Sequence, residues 1–314
     1  IGEGEETLTE VVNGRNFAEI DGLAYREVVD GTTRVVKTRP RNRRVNLDEL
    51  PWPAYDLIDT KKYRPIIGNF KTLPAMILTT SRGCPWSCNF CRRPVGKMWS
   101  YRSAQSLYDE MKHLRETYGI RDITFMDDVF TVSRKRVFEL CELLIQKPLD
   151  IRWNCFARVD IVSEKMLRKM HEAGCWGIMY GVENFDQKIL NGINKGLEVS
   201  QIFDAVRWAK QAKMEIRICM MVGNIGDTEE IINDNIRLVK RLNPDTISVA
   251  ILTPFPGHGI YNEIRDKDLI LTYDWDLYFG STPIVKLEHL TPDDVYRLFR
   301  KMTFSFYFRP SYIL

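Results

Sequence analysis

Two rhythms divide the chain near residue 75. Before it, polar positions dominate. "GEGEETLTEVV" places acids at the entry of one short helix within residues 1–20, where the helix dipole favours them. Over 21–38, apolar and polar residues alternate in "GLAYREVV" and "TTRVVKT" around Asp30-Gly31, which predicts a β-hairpin. Residues 39–74, rich in Pro, Arg and Asn, read as irregular linker. Trp52 and Tyr55 of "LPWPAYDLID" are its points of attachment to the rest.

From Ala75 onward, short apolar runs alternate with helical periodicity. "AMILTT", "DITFMDD", "IRWNCFARVD", "WGIMYGVEN", "EIRICMMVG" and "TISVAILTPFPG" predict six strands. Between them lie helices over 103–118, from Ser133, over 163–174, over 199–212 and over 228–241, with a last helix over 292–307. Repeated βα units give parallel strands with helices outside. Six units without a clear seventh and eighth predict an α/β fold, a partial (β/α)6 barrel that does not close, preceded by a short helix and a β-hairpin linker. In such folds chemistry sits at the C-terminal ends of the strands. Cys84, Asp127, Asp128, Arg158, Glu183, Asn224 and Pro254 all fall there.

Composition narrows the class. With 44% hydrophobic residues in 314, a large core is expected and disorder is not. A net charge of +3 and a pI near 8.4 are weaker and less clustered than the basic bias of nucleic-acid modules, so no clear nucleic-acid partner is implied. No apolar run reaches the roughly 18 residues of a membrane span, and no signal peptide opens the chain. The basic run at 39–44 reads as a solvated linker. The chain starts at Ile1 and stops on "YFRPSYIL", and both ends are expected to be cuts through a longer protein.

Of seven cysteines, Cys141, Cys155, Cys175 and Cys219 sit in apolar patterns and are expected in the core. The other three stand together in "SRGCPWSCNFC": Cys84, Cys88 and Cys91. The odd count fits reduced thiols in the cytoplasm better than a secreted disulfide framework. A zinc site wants four ligands, and no fourth Cys or His lies nearby, the next being His113. Ordinary ferredoxin clusters also take four thiolates. Three can hold three irons of a cube and leave the fourth open to another molecule.

The C-x3-C-x2-C spacing, an aromatic before its last Cys, and its place after the first barrel strand resemble the radical S-adenosylmethionine (SAM) superfamily. "FMDDVFT", "CFARVD", "AGCWGIMYGVEN", "INKG" and "TPFPG" resemble its members that carry an N-terminal cobalamin-binding domain, the group that includes the anaerobic ring cyclase of bacteriochlorophyll synthesis. The resemblance covers nearly the whole chain. It implies that residues 1–74 are the tail of a cobalamin domain plus linker hairpin, 75–260 the (β/α)6 core and 261–314 a C-terminal extension.

The resemblance implies a [4Fe–4S] cluster on Cys84, Cys88 and Cys91, with SAM on the open iron. An electron then cleaves SAM to a 5′-deoxyadenosyl radical that takes hydrogen from substrate. It also implies a SAM-binding set. Phe90 would contact adenine, Asp127 or Asp128 the SAM amino group, Glu183 the ribose or amino group, and Arg158 the SAM carboxylate. Lys195 and Arg217 would be further cations at the mouth, and Gly223 would let the backbone approach adenine. "GNIGD" at 223–227 departs from the family's Gly-x-Pro-Gly-Glu at Ile225 and Asp227.

Cobalamin is implied for the parent protein, but no Asp-x-His-x-x-Gly signature is present here. The expected activity is methylation, oxidative cyclisation or rearrangement of a small or medium organic substrate, fed by a flavodoxin- or ferredoxin-like electron donor. Two other readings stay open: a tRNA-modifying methylthiotransferase-type enzyme, and a non-enzymatic Fe–S electron carrier. Trp99, Tyr101, Trp176 and His258 are candidates for the substrate space.

Overall fold

The computed structural model describes residues 1–42, 46–63, 68–91 and 97–313. A short helix, α1 (Glu5–Val12), leads into a hairpin of β1 (Ala24–Val29) and β2 (Thr32–Lys37), which pair antiparallel across the Asp30-Gly31 turn. Thr7 donates to the Asp21 carbonyl, and Arg41 reaches Glu6 and Glu10, so helix and hairpin form one unit. Arg39 pairs with Asp21 on the surface. Arg43 and Arg44, the end of the basic run, lie outside the described residues.

The first part of the linker attaches through a buried contact. Tyr55 packs in the core and its hydroxyl donates to Glu110 at 2.8 Å. Trp52 stacks on His113 closer to the surface.

The main unit is built on a six-stranded, wholly parallel sheet. In sequence it runs β3 (Ala75–Leu78), a small antiparallel pair of β4 (Ser81–Arg82) with β5 (Ser100–Tyr101), α2 (Ala104–Tyr118), β6 (Asp122–Phe125), α3 (Arg134–Gln146) and β7 (Arg152–Ala157). It continues with α4 (Glu164–Glu172), β8 (Cys175–Glu183), α5 (Gln187–Gly192), α6 (Val199–Gln211), β9 (Glu215–Val222), α7 (Glu229–Leu242), β10 (Thr246–Ile251), α8 (Gly259–Asp266) and α9 (Pro292–Tyr307). Strand order is β3-β6-β7-β8-β9-β10, each beside its sequence neighbour. β3 and β10 do not pair with each other, so the barrel is open, as the six-unit count predicts.

The helices start where the sequence signals say. Ser103, Ser133, Ser163 and Thr228 each accept a backbone N–H from the first turn, satisfying a donor the helix leaves orphaned. The core lies between sheet and helices, with Trp153, Phe125 and Phe130 fully buried and mutually packed. α9 covers the β10 edge side, where the Tyr307 hydroxyl bridges the Ile247 N–H and carbonyl. Among the described residues no helix is long and apolar enough to cross a membrane.

Candidate active site

The three clustered thiols sit in the loop after β4, at the C-terminal end of the sheet. Cys84 and Cys88 are buried and Cys91 is exposed at the residue level, and none is in a disulfide. Burial raises the Cys84 thiol and pushes Cys91 up to about 11. The charges of Cys88 and Cys84 raise Cys91 further, and the charge of Asp128 raises both Cys84 and Cys91.

Two neighbours hold the loop. Asn89 donates through its backbone to Ile193 and through its side chain to Gly192, and Asn194 donates to the Ser87 carbonyl. From α8, Ile260 N–H donates to the Asn89 carbonyl, and a Cβ on Gly259 would stand 3.3 Å from that of Asn89.

The two adjacent acids part company after β6. Asp127 turns inward, where its carboxylate accepts from Thr80 N–H, the Thr80 hydroxyl and Ser81 N–H, at 2.5, 2.5 and 3.0 Å. Buried Arg136 stands 3.8 Å away and donates to the Thr80 hydroxyl. Asp127 thus fastens the chain that enters the cysteine loop. Asp128 is exposed, and its charge is felt at the Cys84 and Cys91 thiols.

Glu183 ends β8 at a bulge, with φ +69, a left-handed backbone that a non-glycine residue rarely takes. Its carboxylate accepts from Lys195 Nζ at 2.8 Å, and both side chains are nearly buried. Lys195 also lies 5.6 Å from the centre of the Phe90 ring. Glycine at 181 leaves room for this pair: a Cβ there would stand 2.7 Å from Glu183 Oε1. Phe90, Glu183 and Lys195, widely spaced in sequence, are therefore one group beside the cysteines.

Arg158 lies at the same end but is engaged differently from the expectation. Its fork closes on Asp160 through Nε and Nη2, and Nη2 also donates to the Lys195 carbonyl at 2.7 Å. Nη1 points at Cys88 Sγ, 3.8 Å away, and the guanidinium lies over Trp86 of the cysteine loop. Neither Trp86 nor Asp160 was singled out from sequence. The Trp between two cluster cysteines and the acid two residues after Arg158 were the available signals.

Gly223 has φ +79, and a Cβ there would meet Val295 of α9 at 3.2 Å, so this glycine lets α9 pack on the strand end. Beside it, Asp227 is buried and accepts from Asn224 and Asn184, and burial pushes it up to about 6. Asn184 in turn accepts from Asn235, which ties the residue after Glu183 to α7.

Arg217 is a correction. It is not at the mouth but near the start of β9, held by the Asn69 side chain, the Gly68 carbonyl and Thr246. There the linker plugs the opposite end of the half-barrel. Thr124 and Asn154 both donate to the Asn69 carbonyl, and Asp122 accepts from Lys71 and Thr72. Trp176 belongs to that end too, donating to Asp122. Trp99 and Tyr101 stack on each other near the cysteine loop. His258 is buried against Phe255 at the entry of α8. Cys141, Cys155 and Cys175 are buried in the core as expected, whereas Cys219 is only half-buried, within the fields of Glu183, Lys195 and Arg217.

Among the described residues no three His, Cys, Asp or Glu converge to hold a single metal ion. A four-iron cube is broader than one ion and does not need that convergence. Three soft thiol donors from one clamped loop, with cations at hand to offset their charge, fit such a cube.

The family model of the radical SAM superfamily matches residues 78–256. Over its whole length the chain is 35% identical to an uncharacterized methyltransferase of Pyrococcus horikoshii, covering 68% of it. It is 30% identical, over 92% of its length, to the anaerobic magnesium-protoporphyrin IX monomethyl ester cyclase of Cereibacter sphaeroides, of which it covers 48%. The chain thus spans about two thirds of the first relative and about half of the second.

Among solved structures, the radical SAM methyltransferase TsrM of Kitasatospora setae, with cobalamin and a [4Fe–4S] cluster bound, superposes with a TM-score of 0.67. The identity is 20%, over 95% of this chain and 59% of that one. The cobalamin-dependent SAM radical enzyme OxsB, with aqua-cobalamin and SAM bound, gives 0.65 at 23% identity over 85% of this chain and 38% of that one. At these identities the likeness is one of fold.

Proposed function

This chain belongs to the radical SAM superfamily and is an enzyme, and from that premise we propose that it cleaves SAM reductively to act on an organic substrate by cobalamin-linked methylation or oxidative cyclisation. A [4Fe–4S] cluster supplies the electron that breaks the sulfonium bond and releases a 5′-deoxyadenosyl radical.

The chain's own residues hold and shield. Cys84, Cys88 and Cys91 ligate three irons. Asp128 is the acid that meets the SAM amino group, and the Glu183–Lys195 pair orients the ribose beside the Phe90 ring. The strained Glu183 backbone fixes that carboxylate in place, and the 2.8 Å hydrogen bond from Lys195 aims it. Asp127 and Asn89 hold the cysteine loop, so the geometry is set before SAM arrives.

The observation that carries this reading is the gathering of the three thiols, Asp128, Glu183 and Lys195 at one end of the open barrel. Cobalamin rests on the relatives alone. The substrate class rests on the same likeness; the reductive cleavage itself calls for a low-potential one-electron donor, and an open iron for a reducing compartment.

The test is anaerobic. Protein reconstituted with iron and sulfide receives dithionite and SAM, and 5′-deoxyadenosine is followed by chromatography, with Cys88→Ala as control. Formation in the wild type alone is expected. A visible cluster whose EPR signal ignores SAM, with no 5′-deoxyadenosine, would leave an electron carrier instead.

A further inference from the structure

The guanidinium of Arg158 is fixed on every side. Asp160 takes the fork at 2.9 and 3.0 Å, the Lys195 carbonyl takes Nη2 at 2.7 Å, and Trp86 covers one face at 4.6 Å. What remains is Nη1, and it is aimed at Cys88 Sγ. The side chain is 5% exposed, so its charge acts through little solvent. The same charge is felt at Cys84. With the fork closed, the group is poorly placed to clamp a carboxylate arriving from solvent and well placed to donate to a thiolate.

We propose that Arg158 is a redox-tuning residue, which donates an N–H···S hydrogen bond to the Cys88 thiolate and raises the reduction potential of the cluster. The inference rests on the reading that the three thiols ligate a four-iron cube. One electron from a low-potential donor takes the oxidised cluster to its reduced state, which carries one more negative charge spread over its sulfurs. A hydrogen bond and a cation at a ligand sulfur stabilise that state more than the oxidised one. Asp160 holds the fork and offsets part of the charge, so the contribution the double variant isolates is the directed donor.

The experiment is an EPR-monitored redox titration of the reconstituted full chain without SAM. Wild type is compared with Arg158→Lys and with Arg158→Gln/Asp160→Asn, which keeps the net charge. The double variant is expected to be harder to reduce by about tenfold in the equilibrium, a fall of about 59 mV for one electron. Arg158→Lys, which cannot serve Asp160 and Cys88 together, should fall between. A wild-type midpoint in the double variant at full iron content would overturn the proposal. Loss of the cluster from both variants would overturn it as well, by making Arg158 a structural residue. Because the readout needs no SAM, failure to cleave SAM in the wild type would sink the proposed function and leave the tuning result standing.

Discussion

Two glycines on one strand separate a functional constraint from a backbone one. Gly181 and Gly177 both lie in β8, and neither needs a left-handed backbone. At Gly177 an added Cβ meets Asn154 Cβ at 3.5 Å and a Glu215 carbonyl at 3.6 Å, which is ordinary contact. At Gly181 it would stand 2.7 Å from Glu183 Oε1 and 3.0 Å from Lys195 Nζ. To regain ordinary contact at 3.4 Å, the carboxylate must retreat by about 0.7 Å and the ammonium by about 0.4 Å.

Both atoms are ends of flexible side chains, so the ion pair moves and the fold does not. Losing that charge-assisted bond costs about 1.5–3 kcal/mol. Replacing a strand glycine by alanine returns about 0.5–1 kcal/mol. Gly181→Ala is therefore expected to lose only about 1–2 kcal/mol of stability. A sub-ångström displacement of a substrate-orienting group costs on the order of 10–100-fold in rate, and that is the expected loss in 5′-deoxyadenosine formation. Gly177→Ala should keep full activity and match or slightly exceed wild-type stability. Anaerobic denaturant titration and single-turnover 5′-deoxyadenosine assays on the reconstituted variants decide the matter. Equal activity in the two variants would refute the claim that the Glu183–Lys195 geometry sets the site.

Other expectations follow from buried polar groups. Asp227, pushed up to about 6 from an ordinary 3.8, binds a proton more tightly folded than unfolded, so its penalty is absent at low pH and grows as pH rises from about 4 to 6. Stability of Asp227→Asn relative to wild type, followed by thermal melts, should therefore climb over that window by up to about 3 kcal/mol; a flat difference would show that Asp227 ionises normally. Tyr55→Phe leaves Glu110, already raised by burial, without its hydroxyl partner and should cost about 1.5–3 kcal/mol by urea titration, loosening the linker first. Arg217→Met should lower thermal stability while leaving the apparent KM for SAM unchanged, because Arg217 sits at the opposite end of the half-barrel. A raised KM would return Arg217 to the mouth.

The sequence alone determined whatever depends on near neighbours. A strand's alternation and a helix's apolar face are written within a few residues, so the six βα units and their open count were legible. So were the caps at Ser103, Ser133 and Ser163, since an N-cap closes on a backbone only three residues away. The cysteine loop was legible for the same reason, its ligand spacing being local.

Tertiary structure decided which partner each polar side chain takes. Arg217 and Glu183 both sit on barrel strands, yet contacts 148 and 149 residues away in sequence hold Arg217 under the linker, far from the thiols. Asp127 and Asp128 are adjacent and identical, and only the approach of Thr80, 47 residues back, turned one into a brace and left the other exposed, within the electrostatic reach of the cysteines. Arg158 looked like a free fork until Asp160 closed it and Lys195 and Trp86 boxed it against Cys88. A charged side chain near a strand end has several partners within reach of its stem. Desolvation makes it choose, and the choice is fixed only when distant segments have packed around it.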